Sequence, residues 1–287
     1  MPTIGTRFWV PLMERARLLT GQPHATDAEN MLDYNPDTHA TSGAFLKAEI
    51  DCDALNVSPS RGINCAMLFI RNHNKINLSL GLEIFCSNSY TSYSTTVIYE
   101  HPNIATDKYY PLILRQFPSS YTQKYWKFIL YRYEVPAIHA GLFMLGRYYD
   151  VASRWEWSSV DTPAFYGDVS RSFGGRVLTN LGHDYSVRKF TRNYLFLSDT
   201  EIAAIRGAWE DTRGGAYPMV ITDDIPSTGW SHTSSVANSK TSRLVRFNHP
   251  RGADGEVALG EYPVQAGLWN VTLYMEELVW TGTGVHT

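Results

Sequence analysis

The chain has 287 residues, 44% hydrophobic and 18% charged, which is a globular balance and excludes a disordered chain. Its formal net charge is -3 and no block is rich in lysine or arginine, so the electrostatic footprint of a nucleic-acid partner is missing. The longest apolar run, residues 65–70, is far too short to cross a bilayer, and residues 1–19 have no long apolar core behind a basic segment; neither membrane insertion nor a secretory leader is expected.

Residues 1–29 read as an extended N-terminal arm. Phe8, Trp9, Val10, Leu12 and Met13 are apolar, but Pro2, Pro11, Gly21 and Pro23 interrupt regular structure. Such an arm must bury its apolar side chains, either on a neighbouring subunit or on its own chain. From residue 43 the pattern turns to strands. Leu46, Ala48 and Ile50 recur at a period of two. Residues 65–70 are continuously apolar, as in a strand buried on both faces. Leu78, Leu80, Leu82 and Ile84 alternate with polar residues. Residues 87–96 form a polar stretch with two tyrosines, suited to an exposed loop. Trp126, Phe128 and Leu130 face one way, with Lys127, Ile129 and Tyr131 the other. Residues 142–149 close this section.

Trp155 and Trp157 stand near Ser158, Ser159 and Pro163, in a loop or edge. Residues 187–197 predict a strand with Phe190, Arg192, Tyr194 and Phe196 on one face. A helix follows over about 199–213. Ser198 and Glu201 form the capping box S-x-x-E, Asp199 and Glu201 suit the positive end of the helix dipole, and Ile202, Ile205 and Trp209 share a face. Gly214 and Gly215 stop it. Residues 217–222 predict a strand, residues 226–242 a Ser/Thr-rich loop, and residues 243–247 and 269–275 the last strands.

The order predicts a mainly β protein. The arm over 1–29 precedes an antiparallel, jelly-roll-like β-sandwich domain over 30–150. A second antiparallel β-sandwich domain, over 151–287, carries the one prominent α-helix. No βαβ repeats occur, which disfavours a parallel α/β enzyme.

Two stretches carry a family resemblance. Asn30-Met31-Leu32-Asp33-Tyr34-Asn35-Pro36-Asp37-Thr38-His39-Ala40-Thr41, with Leu68-Phe69-Ile70-Arg71-Asn72-His73-Asn74 after it, resembles the opening of discoidin-like, galactose-binding-like jelly rolls. Tyr125-Trp126-Lys127-Phe128-Ile129-Leu130 and Ala140-Gly141-Leu142-Phe143-Met144-Leu145-Gly146-Arg147 look like its closing strands. Arg192-Asn193-Tyr194-Leu195-Phe196-Leu197-Ser198-Asp199-Thr200-Glu201, then Gly214-Gly215-Ala216-Tyr217-Pro218-Met219-Val220-Ile221 and Met275-Glu276-Glu277-Leu278, resemble the β-sandwich part of minor tail or tail-tip proteins of long-tailed phages. The resemblance implies a virion role, with assembly in the host cytoplasm, and a carbohydrate-binding ancestry for the first domain.

Chemistry-bearing patterns are few. Asp33, Asn35, Asp37 and Thr38 form a polar turn. An Asx-type turn explains it, and a small structural cation site is the functional alternative, since hard cations take oxygen ligands. The nine histidines show no zinc spacing, and His73, between two asparagines, reads as a hydrogen-bonded loop residue. Cys52, Cys65 and Cys86, without a C-x-x-C, read as reduced, mostly buried thiols. Asp223 and Asp224 are the best carboxylate pair for hydrolysis, but adjacent acids diverge and a turn explains them. No G-x-S-x-G or Walker-type loop is present. We therefore assign no catalytic residue and no cofactor.

Tyr90, Tyr93, Trp155, Trp157 and Trp230 lie in polar, loop-like surroundings. Core or interface packing accounts for such aromatics, and stacking on sugar rings is the alternative. The expectation is a structural subunit of a tailed-phage virion in the tail, tail tip or baseplate. It would contact other virion proteins and copies of itself. A glycan- or receptor-binding adhesion module reaching host surface glycans, or a capsid or neck decoration protein, is the alternative.

Overall fold

A computed structural model describes residues 3–12, 17–19, 26–32, 39–43, 45–52, 63–71, 81–100, 112–131, 137–156, 160–164, 167–171, 177–181, 187–226, 242–250 and 258–278. The first half holds β1 (Thr3–Pro11), β2 (Arg17–Leu18), β3 (His39–Ser42), β4 (Phe45–Asp51), β5 (Ile63–Arg71) and β6 (Gly81–Ser87). It continues with β7 (Thr95–Glu100), β8 (Leu112–Gln123), β9 (Tyr125–Tyr131), β10 (Ile138–Gly141) and β11 (Phe143–Val151). The second half holds β12 (Val160–Ala164), β13 (Gly167–Arg171), β14 (Val177–Leu181) and β15 (Val187–Ser198). Helix α1 (Asp199–Asp211) follows, then β16 (Met219–Pro226), β17 (Ser242–Phe247), β18 (Gly260–Gln265) and β19 (Leu268–Glu277).

The fold is mainly β, with antiparallel sheets. A ten-stranded sheet runs β12-β15-β19-β17-β16-β1-β11-β5-β8, with β18 also paired to β19. A five-stranded sheet runs β2-β4-β9-β6-β7, and β3/β10 and β13/β14 form separate pairs. Residue 150, near which a junction is expected, lies within β11, and the large sheet carries strands from both sides of it.

Strand β1 stands inside the large sheet. It pairs with β11 from Thr6↔Val151 to Pro11↔Gly146, and with β16 from Thr3↔Pro226 to Trp9↔Val220. Phe8, Trp9 and Val10 are fully buried. Of the two surfaces open to the arm's apolar residues, its own chain provides the one that covers these three. Phe8 and Val10 enter one cluster and Trp9 enters another on the opposite face, because strand side chains alternate. Burying each such side chain contributes about 1.5–3 kcal/mol. Gly146 permits the close crossing of β1 and β11: a Cβ there would overlap the Val10 carbonyl.

The five-stranded sheet packs over the β11 and β8 end of the large sheet. Its inward face is built from alternate residues, such as Leu46, Ala48 and Ile50 of β4 and Trp126, Phe128 and Leu130 of β9. Phe117 and Phe143 meet them from the large sheet. Phe128 and Phe143 stand 4.9 Å apart, and Phe117 stacks on Trp126 at 5.9 Å. Cys52 and Cys86 are free and buried. Burial pushes the Cys86 thiol up to about 11 and the Cys52 thiol higher still. The Cys65 side chain lies outside the described residues.

The second half of the large sheet curls around a separate core, and α1 closes it with Ile202, Ile205 and Ala208. The capping box is formed: Ser198 Oγ accepts the Glu201 N–H, and Glu201 accepts the Ser198 N–H at 3.0 Å. Burial pushes the Glu201 carboxyl up, but hydrogen bonds from Ser198 and Ser153 outweigh this and hold it below its ordinary range. The regular helix ends at Asp211, slightly earlier than expected. Thr212 Oγ1 donates to the Ala208 carbonyl, and Arg213 and Gly214 take positive φ in a short 3-10 turn.

Phe196 corrects the expected face of β15. A bulge against β19 falls between Tyr194 and Leu197, so Leu197 takes the buried position and Phe196 is 58% exposed. Its φ of 56° lies in the left-handed region, and the Asn270 Oδ1 accepts its N–H at 3.0 Å.

Candidate functional site

The outward face of the five-stranded sheet presents its side chains in four rows across β4, β9 and β6. The register gives Asp51, Tyr125 and Ser87; then Glu49, Lys127 and Phe85; then Lys47, Ile129 and Glu83; then Phe45, Tyr131 and Gly81. These positions alternate with the inward-facing ones, so the face follows from the pattern that builds the core. Lys47, Glu49, Glu83, Phe85 and Lys127 are half-buried, whereas Asp51, Ser87 and Tyr131 are buried at its two ends. Tyr99 of β7 pairs with Glu83 and extends the third row.

Residues 88–94 connect β6 to β7 and bring Tyr90 and Tyr93 to the Tyr125 end of this face. The loop is held locally. The Ser89 N–H donates to Ser87 Oγ at 3.0 Å, and Asn88 Oδ1 accepts the Lys124 N–H at 3.2 Å. Tyr90 lies 6.1 Å from Tyr125 and is 48% exposed. The Lys127 ammonium lies 4.6 Å from the Tyr93 ring and 4.8 Å from the Phe85 ring, a cation–π arrangement. Lys124 reaches the Tyr125 ring at 5.2 Å.

Tyr93 Oη is buried and, among the described residues, has no hydrogen-bond partner. Burial raises its pKa, and Glu49, Tyr90, Tyr125 and Asp51 raise it further. The phenol is therefore a neutral hydroxyl that can donate and accept. Three ring faces, an ammonium and a cluster of hydroxyls gather at one end of the sheet. Rings of this kind pack against the apolar faces of sugars, while the polar groups fix hydroxyl positions.

Trp155 lies elsewhere, at an end of the second core. Its Nε1 donates to Asp223 Oδ1 at 3.3 Å, and the Arg192 guanidinium lies 4.5 Å over its ring. Arg192 Nη2 stands 3.5 Å from Asp223 Oδ2, and Thr6 Oγ1 donates to Asp223 Oδ1 at 2.9 Å. Asp223 is thus occupied in holding β1, β15 and the Trp155 segment together. Arg192 is 5% exposed, and its Nε has no hydrogen-bond partner among the described residues.

The structure joins Tyr90 with Tyr93 and, separately, Trp155 with Asp223. Trp157, Trp230, the Asp224 side chain and the polar turn of Asp33, Asn35, Asp37 and Thr38 lie outside the described residues. His73 does too. Among the described residues no group of three or more His, Cys, Asp or Glu is placed to hold a metal ion. No described helix is long and apolar enough to cross a membrane. Tyr125 and Lys127, which stand against Tyr90 and Tyr93, were not among the residues singled out in the sequence. Their signal was the outward phase of β9, which was legible, but their proximity to Tyr90 and Tyr93 comes from strand pairing.

No protein-family model matches the chain, and no curated protein matches it. Several solved structures are similar to part of it. The CBM32 module of AlyQ, in complex with 4,5-unsaturated mannuronic acid, is 13% identical and covers 48% of this chain and 96% of its own, with a TM-score of 0.36. CBM32-1 from a family 31 glycoside hydrolase of Clostridium perfringens gives the same identity, coverage and TM-score. A pectin-binding carbohydrate-binding module is 13% identical over 46% of this chain and 92% of its own, with a TM-score of 0.32.

Proposed function

We propose that the chain is a non-catalytic glycan-binding module, with its site on the outward face of the five-stranded sheet around Tyr90, Tyr93, Tyr125 and Lys127. One observation carries this reading. A loop rich in hydroxyls holds tyrosines over a lysine, and among the described residues the Tyr93 hydroxyl has no hydrogen-bond partner. A buried polar atom without a partner costs about 1–3 kcal/mol. Oη is closed to solvent, so a shift of the 88–94 loop on binding would let a sugar hydroxyl reach it and offset that cost. A glycan array probed with the full chain tests the reading. Binding to at least one glycan class is expected, weakened in Tyr90→Ala and Tyr93→Phe. An array on which the wild-type chain binds nothing overturns it.

A second reading, a structural subunit of a phage virion acting through protein contacts, is favoured by a different observation. Phe196, Tyr262 and Val264 are each about half exposed or more, and Tyr262 pairs with Asn270, the residue that holds Phe196. Exposed apolar groups of this kind mark protein interfaces. Sedimentation of the purified chain, alone and with other proteins of the same particle, tests this reading. Replacing Tyr262 and Val264 with serine should abolish any complex found.

A further inference from the structure

Three of the seven exposed large hydrophobic residues among those described are Phe45, Tyr90 and Tyr99. All three border the outward face of the five-stranded sheet, and they lie at its two ends. Tyr90 stands against Tyr125 in the first row. Phe45 stacks on Tyr131 in the fourth, with ring centroids 6.2 Å apart and planes 10° from parallel. Tyr99 stands beside that pair: it hydrogen-bonds Tyr131, and burial, this bond and Glu83 together raise the Tyr131 pKa. Tyr99 is 62% exposed.

The two aromatic ends are linked by a single strand. Tyr125 and Tyr131 are separated along β9 by a rise of about 20 Å, since an antiparallel strand advances about 3.4 Å per residue. Between them, the second and third rows carry Lys47 and Lys127 against Glu49 and Glu83, two charges of each sign. Lys47 and Glu49 are themselves an ion pair at 2.6 Å. A polyanion laid along this strip would meet both glutamates, and a polycation both lysines. Charge balance fits an uncharged chain with hydroxyls able to donate to one sign and accept from the other.

We infer that this face takes an internal stretch of an extended, uncharged polysaccharide, laid along β9 from Tyr125 to Tyr131, rather than a single terminal sugar. The inference rests on the glycan reading above and adds the length, charge and direction of the ligand. A terminal sugar would use the Tyr90 end alone and would not touch the exposed parts of the Phe45 and Tyr99 rings. A chain of several rings uses both ends, stacking on Tyr90 and Tyr125 at one and on Tyr99 and Phe45 at the other.

Affinity gel electrophoresis of the full chain tests this, with gels containing a β-glucan, a xylan, a galactomannan or a dextran, and parallel gels containing alginate or pectin. Retardation is expected in at least one neutral gel. Calorimetry with oligosaccharides of that polymer should show affinity rising by about threefold to tenfold from two units to six, the size of one added aromatic contact. Tyr99→Ala should remove that rise and leave binding of the two-unit fragment intact, whereas Tyr90→Ala should weaken both. Phe45→Ala repeats the Tyr99→Ala test from the other side of the row, and an unchanged thermal midpoint shows that each variant is folded. Equal affinity for short and long fragments, or no effect of Tyr99→Ala and Phe45→Ala, overturns the extended-chain inference and leaves the glycan reading standing. Retardation by the acidic polymers alone overturns the charge argument. Retardation in no gel, together with a silent glycan array, overturns both.

Discussion

The Tyr194 hydroxyl donates to Thr6 Oγ1 at 2.8 Å, although β19, β17 and β16 separate their strands in the sheet. A flat sheet would hold these strands too far apart for one side chain to span. The bond therefore records how tightly the sheet curls around the second core, in keeping with the right-handed twist of strands. Thr6 passes the connection on to Asp223, which also receives Trp155 and faces Arg192.

This chain of contacts sets two unequal costs. Tyr194→Phe removes one hydrogen bond and leaves Thr6 still donating to Asp223, so a loss of about 1 kcal/mol is expected. Asp223→Ala strips the partner from an Arg192 that is 5% exposed. Breaking a buried pair this way costs about 3–5 kcal/mol. Urea denaturation of both variants checks the ranking. Equal losses would mean that Arg192 finds another partner.

Removal of residues 1–11 should abolish folding of the second core. The deletion takes out a strand paired on both sides and three fully buried side chains, Phe8, Trp9 and Val10. Each truncation of this size in a core costs about 3–5 kcal/mol for the aromatics, against a whole-domain stability of about 5–15 kcal/mol. The check is soluble yield and near-ultraviolet circular dichroism. A well-folded deletion product would show that β1 is dispensable.

That strand also marks where the sequence stops being informative. Phe8-Trp9-Val10 is a continuous apolar run between two prolines, and a run buried on both faces has no period to read. Its partners lie in β11 and β16, far along the chain, and no local pattern specifies such pairings. Local signals fared differently. The Ser198 cap, the inward phase of Leu46, Ala48 and Ile50, and the alternation of β9 are all set by neighbouring residues, and each stands in the structure as expected. The site divides along the same line. Tyr90 and Tyr93 share a loop and were legible as a pair, whereas Lys127 reaches Tyr93 only because β6 and β9 pair with Phe85 opposite Lys127.

Phe196→Gly should stabilise the fold by about 0.5–1 kcal/mol. The wild-type residue holds a φ of 56°, where a bulky side chain is strained and glycine is not. Little burial is lost, because the ring is 58% exposed. The thermal midpoint reports the gain. A fall instead would show that the ring makes a contact worth more than the strain. If Phe196 belongs to a protein interface, the same variant should be more stable and yet bind its partner less well.

Acid should destabilise the protein through His249. Its ring lies against Trp209 at 4.8 Å and Tyr274 at 5.4 Å, and its Nε2 accepts the Tyr274 N–H at 3.3 Å. Burial lowers its pKa from 6.5 to about 4, against a smaller opposing effect of a hydrogen bond to the Ala258 backbone. The folded state thus disfavours a proton that the unfolded state accepts. The stabilising effect is fully present above about pH 6.5 and is lost as pH falls to about 4, below which both states carry the proton. With about 1.4 kcal/mol per unit, the loss across that window is roughly 3 kcal/mol. His249→Gln keeps an acceptor near the Tyr274 N–H but cannot be protonated. Urea midpoints at pH 7 and pH 4.5 should fall less in this variant than in the wild type. Identical falls would assign the acid sensitivity to the carboxylates instead.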